Sequence, residues 1–345
     1  MESNIQKINH IFERTTKNKQ IHEAVLLVEN TNGDFSCSKG YGKKDIDTPL
    51  LMASITKLFT TTCILILKEQ GELSLDDEVT KYFSEDILRK LHMYKGKEHS
   101  MRLTLANLLF QTSGLPDVYE EGSINAKKRA ILHDRQFTFN DNIKMTKQLN
   151  SHFAPTTKKR ANYADINFDM LGEVIEKVTN STVEEVFKLF IFDPLELTST
   201  YLLQHDDDFV PNVYYKDQAL YRPHFIRSTR ASGGGISTAR ELMIFSKAFF
   251  GGKIFNSKVF HELEVINKLQ TSMYPIHYGA GYMKIPLNGL STFFMGKGEL
   301  IGHSGSTGSF AFYYPRKDLY FVGDINQMSN PSLPIRLAMR LAISM

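Results

Sequence analysis

Ser54-Ile55-Thr56-Lys57 places a hydroxyl and a primary amine three residues apart, at the opening of an apolar run that reads as a buried helix. With a helix starting near Ala53, the two groups lie one turn apart on a single face. The serine also feels the positive end of the helix dipole. A serine oxygen is a poor nucleophile until a base removes its proton, and a desolvated lysine can serve. The chain holds a second copy of the spacing, Ser36-Cys37-Ser38-Lys39. That copy falls in an expected strand, where positions three apart point to opposite faces. Ser36 and Lys39 therefore cannot act as a pair, whereas Ser54 and Lys57 can.

The elements that must position this pair can be read in order. Ile5, Ile8, Ile11 and Phe12 repeat at helical spacing and predict a short N-terminal amphipathic helix. His22 to Glu29 reads as a strand, and Asn32-Gly33 signals a type I′ hairpin leading into Phe35 to Tyr41. The Ser54 helix is expected to end at Gly71, a natural C′ residue. The pattern is then mainly helical to about Tyr215, with examples at Leu103 to Phe110, Phe168 to Val178 and Val183 to Phe192. Thr238-Ala239-Arg240-Glu241 is a capping box for a helix ending near Gly251-Gly252. Strands return at Phe310 to Tyr314 and Leu319 to Ile325, around the turn Pro315-Arg316-Lys317-Asp318. Pro331 and Pro334 open a C-terminal helix through Leu337, Leu341 and Ile343. Strands at both ends and a helical middle predict an α/β domain built from residues 1–70 and 216–345, with an all-helical insertion at 71–215.

Composition bounds the function. The chain has 345 residues, 42% hydrophobic and 23% charged, as in ordinary globular proteins. A net charge of +3 is too small to argue for nucleic acid. The clusters Lys127-Lys128-Arg129 and Lys158-Lys159-Arg160 read as solvated faces. Cys37 and Cys63 have no Cys-x-x-Cys spacing and no disulfide framework, and Cys63 reads as core. Met1 to Gln20 lacks the apolar core of a secretory signal, and Leu58 to Leu67 is about half a membrane span in length. A cytoplasmic location without a membrane span is the expectation, although an exported chain with its leader removed would look the same.

Several separated phrases resemble, in order, the serine β-lactamase and penicillin-binding-protein-like hydrolases, nearest the class C-like branch of esterases and D-peptidases. They are Ser54 to Lys57 as Ser-x-x-Lys, Gly71-Glu72-Leu73-Ser74-Leu75-Asp76-Asp77, Leu108 to Pro116, and Phe192-Asp193-Pro194-Leu195. Ser232-Gly233-Gly234-Gly235-Ile236-Ser237-Thr238-Ala239 and Gly302-His303-Ser304-Gly305 follow. The similarity runs over roughly residues 22–326. It implies a β-lactamase/transpeptidase-like α/β fold, an antiparallel sheet flanked by the N- and C-terminal helices.

The family's Tyr-x-Asn motif falls on Tyr163-Ala164-Asp165, with Asp in place of Asn, and Lys-Thr-Gly falls on His303-Ser304-Gly305. The resemblance implies an oxyanion hole from the backbone N–H groups of Ser54 and Ser306, and no metal or cofactor. Ser54 would attack an acyl carbon, with Lys57 and Tyr163 sharing the proton traffic. Asp165 would favour a charged Lys57 and push the base role toward Tyr163. His303, mostly neutral at pH 7 if unperturbed, would anchor anions less well than the family's Lys. Esters or (D-)amino-acid amides and short peptides are therefore expected over β-lactams, with an amine near the acyl group as one option and a β-lactamase or penicillin-binding DD-peptidase as the alternative.

Rival readings are weaker. Gly302-His303-Ser304-Gly305-Ser306 resembles a Gly-x-Ser-x-Gly elbow, but ends in Ser and precedes a strand pattern where an elbow needs a helix. Gly233-Gly234-Gly235 lacks the Lys-Ser or Lys-Thr of a phosphate loop. His92, His99 and His205-Asp206-Asp207-Asp208 lack metal spacing and read as solvated loops. The non-enzyme alternative is a silent binding protein that kept the fold; Ser54, Lys57, Tyr163 and His303 together speak against it.

Overall fold

The computed structural model describes residues 2–123, 125–155, 159–256, 258–263, 266–289, 292 and 294–345, excepting the side chains at 261 and 262. Lys158 lies outside this set. Among the described residues the main sheet has eight antiparallel strands. Their order is Asn267–Lys268, His277–Tyr278, Met283–Pro286, Glu299–Ser304, Ser309–Tyr314, Leu319–Asp324, Ala24–Glu29 and Ser36–Tyr41. The two ends of the chain meet in this sheet, with Val25 opposite Asp324.

Ala24 to Val28 and Leu319 to Asp324 are buried at every position. Such strands read as continuous apolar runs because both sheet faces are covered. The helix Ala239–Gly251 packs on Ala24–Glu29, Ser309–Tyr314 and Leu319–Asp324, while Leu333–Ser344 packs on Glu299–Ser304 and Ser309–Tyr314. The N-terminal helix Glu2–Thr16 buries Ile8 and Phe12, and packs on Leu333–Ser344.

The differences from the expected elements are local. The first hairpin is longer than a type I′ turn: Gly33 N–H donates to Asn30 O, and only Gly33 has a positive φ, of 81°. The Asn30 side chain accepts from Phe35 N–H at 3.0 Å and closes the loop. The 71–215 segment is mainly helical but contains the hairpin Met93–Tyr94/Lys97–Glu98, turned by positive φ at Lys95 and Gly96. Its strand Tyr201–Leu202 pairs with Gly235–Ser237, tying the segment back to the rest of the chain. At Thr238 the side chain accepts from Glu241 N–H, but the Glu241 carboxylate turns away to Ser199 N–H and the Thr200 hydroxyl. His92 is fully buried, with Nε2 2.9 Å from Phe153 O, and is not the solvated residue expected.

Candidate active site

The Ser54 segment begins with a short 3-10 turn, Ala53–Ile55, and continues as the α-helix Thr56–Glu69. Ala53 has φ of +45°, a left-handed conformation that costs an L-residue about 1–2 kcal/mol. The surrounding contacts hold it there. Met52 N–H donates to Gly235 O, Gly235 N–H to the Thr56 hydroxyl, and the Ser309 hydroxyl to Met52 O. Gly305 allows the close approach: a Cβ there would lie 2.6 Å from Met52 O and 2.2 Å from Ser309 Oγ. The end of the strand Glu299–Ser304 is thus pressed against the Ser54 turn.

Lys57 is completely buried. Its Nζ lies 3.1 Å from Ser54 Oγ, 2.6 Å from Asp165 Oδ1 and 2.6 Å from Ser232 O. The last two partners only accept hydrogen bonds. A neutral amine would spend its two N–H groups on them and turn its lone pair to the Ser54 hydroxyl; an ammonium would donate to all three.

Asp165 opens the helix Asp165–Thr179, and its N–H donates to Asp117 Oδ1 at 3.3 Å. The Leu108 to Pro116 phrase braces this helix start. Gln111, at φ of +57°, accepts through Oε1 from Ala164 N–H, and Leu115 O accepts from Asn162 Nδ2. Gln270 Oε1 accepts from Tyr163 N–H at 3.0 Å, so strand-side residues finish the positioning.

The Tyr163 ring centroid lies 5.2 Å from Lys57 Nζ, and its hydroxyl is buried with no hydrogen-bond partner among the described residues. Burial, with the Asp165 charge, pushes this phenol well above its ordinary value; the neighbouring Ser54 hydroxyl opposes the shift. Tyr163 therefore rests as a neutral phenol. The base role assigned to it from Asp165 alone overlooked that the same carboxylate disfavours a tyrosinate.

His303 is fully buried behind Tyr163 and Tyr278, with ring centroids 5.9 and 6.0 Å away, and does not line the cavity. Its Nδ1 lies 2.9 Å from Ser304 O, which can only accept, so Nδ1 carries the proton. Nε2 is then left to accept from the Tyr278 hydroxyl at 3.4 Å. Burial, reinforced by the Lys57 charge, lowers its pKa to about 3. The imidazole is neutral at physiological pH.

Ser54, Tyr163, Asp165, Ser304, Gly305 and Ser306 all line one cavity of about 1040 Å³. Ser306 N–H is free of protein partners among the described residues. Two further cavity residues escaped the sequence reading. Asp117 is buried, and burial together with Asp165 raises its carboxyl well above the ordinary range. The Tyr119 hydroxyl donates to Ser306 Oγ at 3.3 Å. Neither belongs to a spacing pattern; Pro116 before Asp117 marks only a turn. Among the described residues no group of three or more His, Cys, Asp or Glu could hold a metal ion. No described helix is long and apolar enough to cross a membrane.

Known proteins share this arrangement of elements. The D-amino acid amidase from Ochrobactrum anthropi SV3, complexed with L-phenylalanine amide, superposes with a TM-score of 0.79 at 17% identity, over 100% of this chain and 98% of that one. EstCE1, a hydrolase with promiscuous acyltransferase activity, gives a TM-score of 0.78 at 17% identity, over 100% and 99%. At such identities the likeness establishes the fold. Protein flp of Staphylococcus aureus (strain MRSA252) is 29% identical over 211 residues, 59% of this chain and 39% of that protein. The match thus spans about two fifths of that relative's length. A profile of the Beta-lactamase family matches residues 8–343, nearly the whole chain, and the protein belongs to that family.

Proposed function

We propose that this protein is a serine hydrolase that forms an acyl-enzyme on Ser54 and acts on esters or amino-acid amides. The observation that carries the reading is Lys57 Nζ at 3.1 Å from Ser54 Oγ, at the inner wall of the 1040 Å³ cavity. Lys57 first sheds a proton from its ion pair with Asp165, and Ser54 then attacks the carbonyl carbon as its own proton passes to the neutral amine. The oxyanion is met by the N–H groups of Ser54 and Ser306; a single such donor is typically worth about 2.7–4 kcal/mol in the transition state. Tyr163, a neutral phenol beside Ser54, donates its proton to the departing alcohol or amine and is recharged from Lys57. Water then attacks the acyl-enzyme and the same groups run in reverse.

Position 303 weighs against β-lactams and peptide C-termini. It offers no cation, because His303 is buried, neutral and hydrogen-bonded inward. Asp165 lines the same cavity and brings a carboxylate of its own, which disfavours an anion close to Ser54. The amidase likeness makes amino-acid amides, with their free ammonium, the second substrate class to test. The test is a kinetic screen of p-nitrophenyl esters, D- and L-amino-acid amides and nitrocefin against wild type and Ser54→Ala. Ester or amide turnover faster than nitrocefin, lost in Ser54→Ala, supports the reading. Nitrocefin as the best substrate would overturn the substrate class, and turnover surviving in Ser54→Ala would overturn the mechanism.

A further inference from the structure

The outer part of the cavity carries charge that the acyl-enzyme chemistry does not use. Lys159, Arg160 and Lys268 all line it, and they are brought together by main-chain pairing. Lys268 N–H donates to Lys159 O at 3.1 Å, Ala161 N–H donates to Lys268 O at 2.8 Å, and Arg160 bridges to Lys268 in parallel. The Arg160 guanidinium also sits 4.5 Å from the centroid of the buried Phe153 ring, which fixes its plane. Among the described residues none of the three cations has an ion pair or a side-chain hydrogen bond to protein.

The acidic groups of the same cavity are, by contrast, engaged. Glu120 is paired with Lys127 at 2.8 Å and Asp165 with Lys57 at 2.6 Å, while Glu121 is hydrogen-bonded to His152 Nε2 at 2.8 Å. Asp117 accepts from two backbone N–H groups and is buried. Among the described residues the unpaired positive charge lining the cavity lies on the Lys159–Arg160/Lys268 pairing, away from position 303. A cleft with unpaired charge of one sign concentrates ligands of the other.

We propose that Lys159, Arg160 and Lys268 form an anion subsite, so that preferred substrates carry a carboxylate or phosphate remote from the scissile carbonyl. This rests on the acyl-serine reading above and narrows its substrate class. It differs from the carboxylate anchoring that His303 lacks, because the cations stand on another strand pair. A guanidinium with a fixed plane suits the two oxygens of a carboxylate or phosphate.

The experiment uses neutral and anionic esters matched in size. One arm places the anion in the acyl chain, p-nitrophenyl hydrogen glutarate against p-nitrophenyl valerate. The other places it on the leaving group, the butyrate ester of 4-hydroxybenzoate against that of its methyl ester. In at least one arm wild type should favour the anion on the order of tenfold in kcat/KM, a preference that fades as salt is raised. Lys268→Glu should abolish or invert the preference. Calorimetric binding of methyl hydrogen glutarate against dimethyl glutarate to Ser54→Ala keeps the subsite testable if no ester is turned over. Equal use of neutral and anionic substrates in both arms, or a preference untouched by Lys268→Glu, would overturn the subsite. Loss of all turnover with preferential binding of the anion would instead overturn the acyl-serine reading alone.

Discussion

Asp165 and Lys57 come from different helices and meet as an ion pair of 2.6 Å, with the lysine fully buried and the aspartate side chain 22% exposed. Replacing its carboxylate tests both the stability of the site and the selectivity proposed for it. Asp165→Asn keeps an acceptor for Lys57 but removes its counter-charge, and should cost about 1–3 kcal/mol, less than a fully enclosed pair because solvent reaches Asp165. It should also speed acylation by nitrocefin about fivefold relative to a neutral ester, since one repulsive charge near the substrate carboxylate is worth about 1 kcal/mol. Denaturant midpoints and stopped-flow acylation check the two halves.

Tyr163→Phe separates chemistry from structure. The hydroxyl is buried and has no hydrogen-bond partner among the described residues, so its removal should leave stability within about 0.5 kcal/mol or raise it. The rate should fall by about 10²–10⁴ in kcat with little change in KM, the usual range for a lost general acid. Near-normal acylation in this variant would remove Tyr163 from the mechanism.

Gly305→Ala should act through position alone. The new Cβ would press on Met52 O and Ser309 Oγ, which hold the Ser54 turn. Overpacking of this kind costs about 1–3 kcal/mol, and an ångström of displacement at the nucleophile can cost about a hundredfold in rate. Thermal melting and ester kinetics on the same preparation measure both.

What the sequence disclosed follows the range of the interactions. Ser54 and Lys57 were legible because helical spacing is local. So was the close of their helix, where Gly71 takes φ of +76°. The strands Ala24–Glu29 and Leu319–Asp324 were legible from their β-branched and aromatic runs, although their pairing joins residues about 300 positions apart. Lys159 and Arg160 were read as a solvated face and are exposed, but their meeting with Lys268, which the sequence did not single out, arises only through tertiary pairing. Asp117 and Asp169 were missed for the same reason. His303 was placed by motif, but its burial, which removes it from the cavity, depends on Tyr163 and Tyr278 closing over it.

Asp169 supplies a pH test. It stands one turn beyond Asp165, accepts from Asn142 Nδ2 at 2.9 Å, and burial raises its carboxyl to about 7 from 3.8, with Asp165 adding to the rise. Lys57 opposes the shift, as do hydrogen bonds from Ser232 and Asn142. Between those two values the unfolded chain is ionised while the folded protein holds the proton, so this group lowers stability as pH rises from about 4 to 7. Asp169→Asn should therefore match wild type near pH 4 and exceed it by about 2–4 kcal/mol at pH 8. Urea unfolding at the two pH values measures the difference; an equal offset at both would contradict the assignment.

The central claim is that Ser54 is the nucleophile. Intact-mass analysis after treatment with a fluorophosphonate probe, on wild type, Lys57→Ala and Ser54→Ala, tests it most directly. One adduct on wild type mapping to Ser54, slow labelling of Lys57→Ala, and none on Ser54→Ala are expected. Labelling of Ser54→Ala at the wild-type rate, or an unlabelled wild type that still hydrolyses esters, would contradict it.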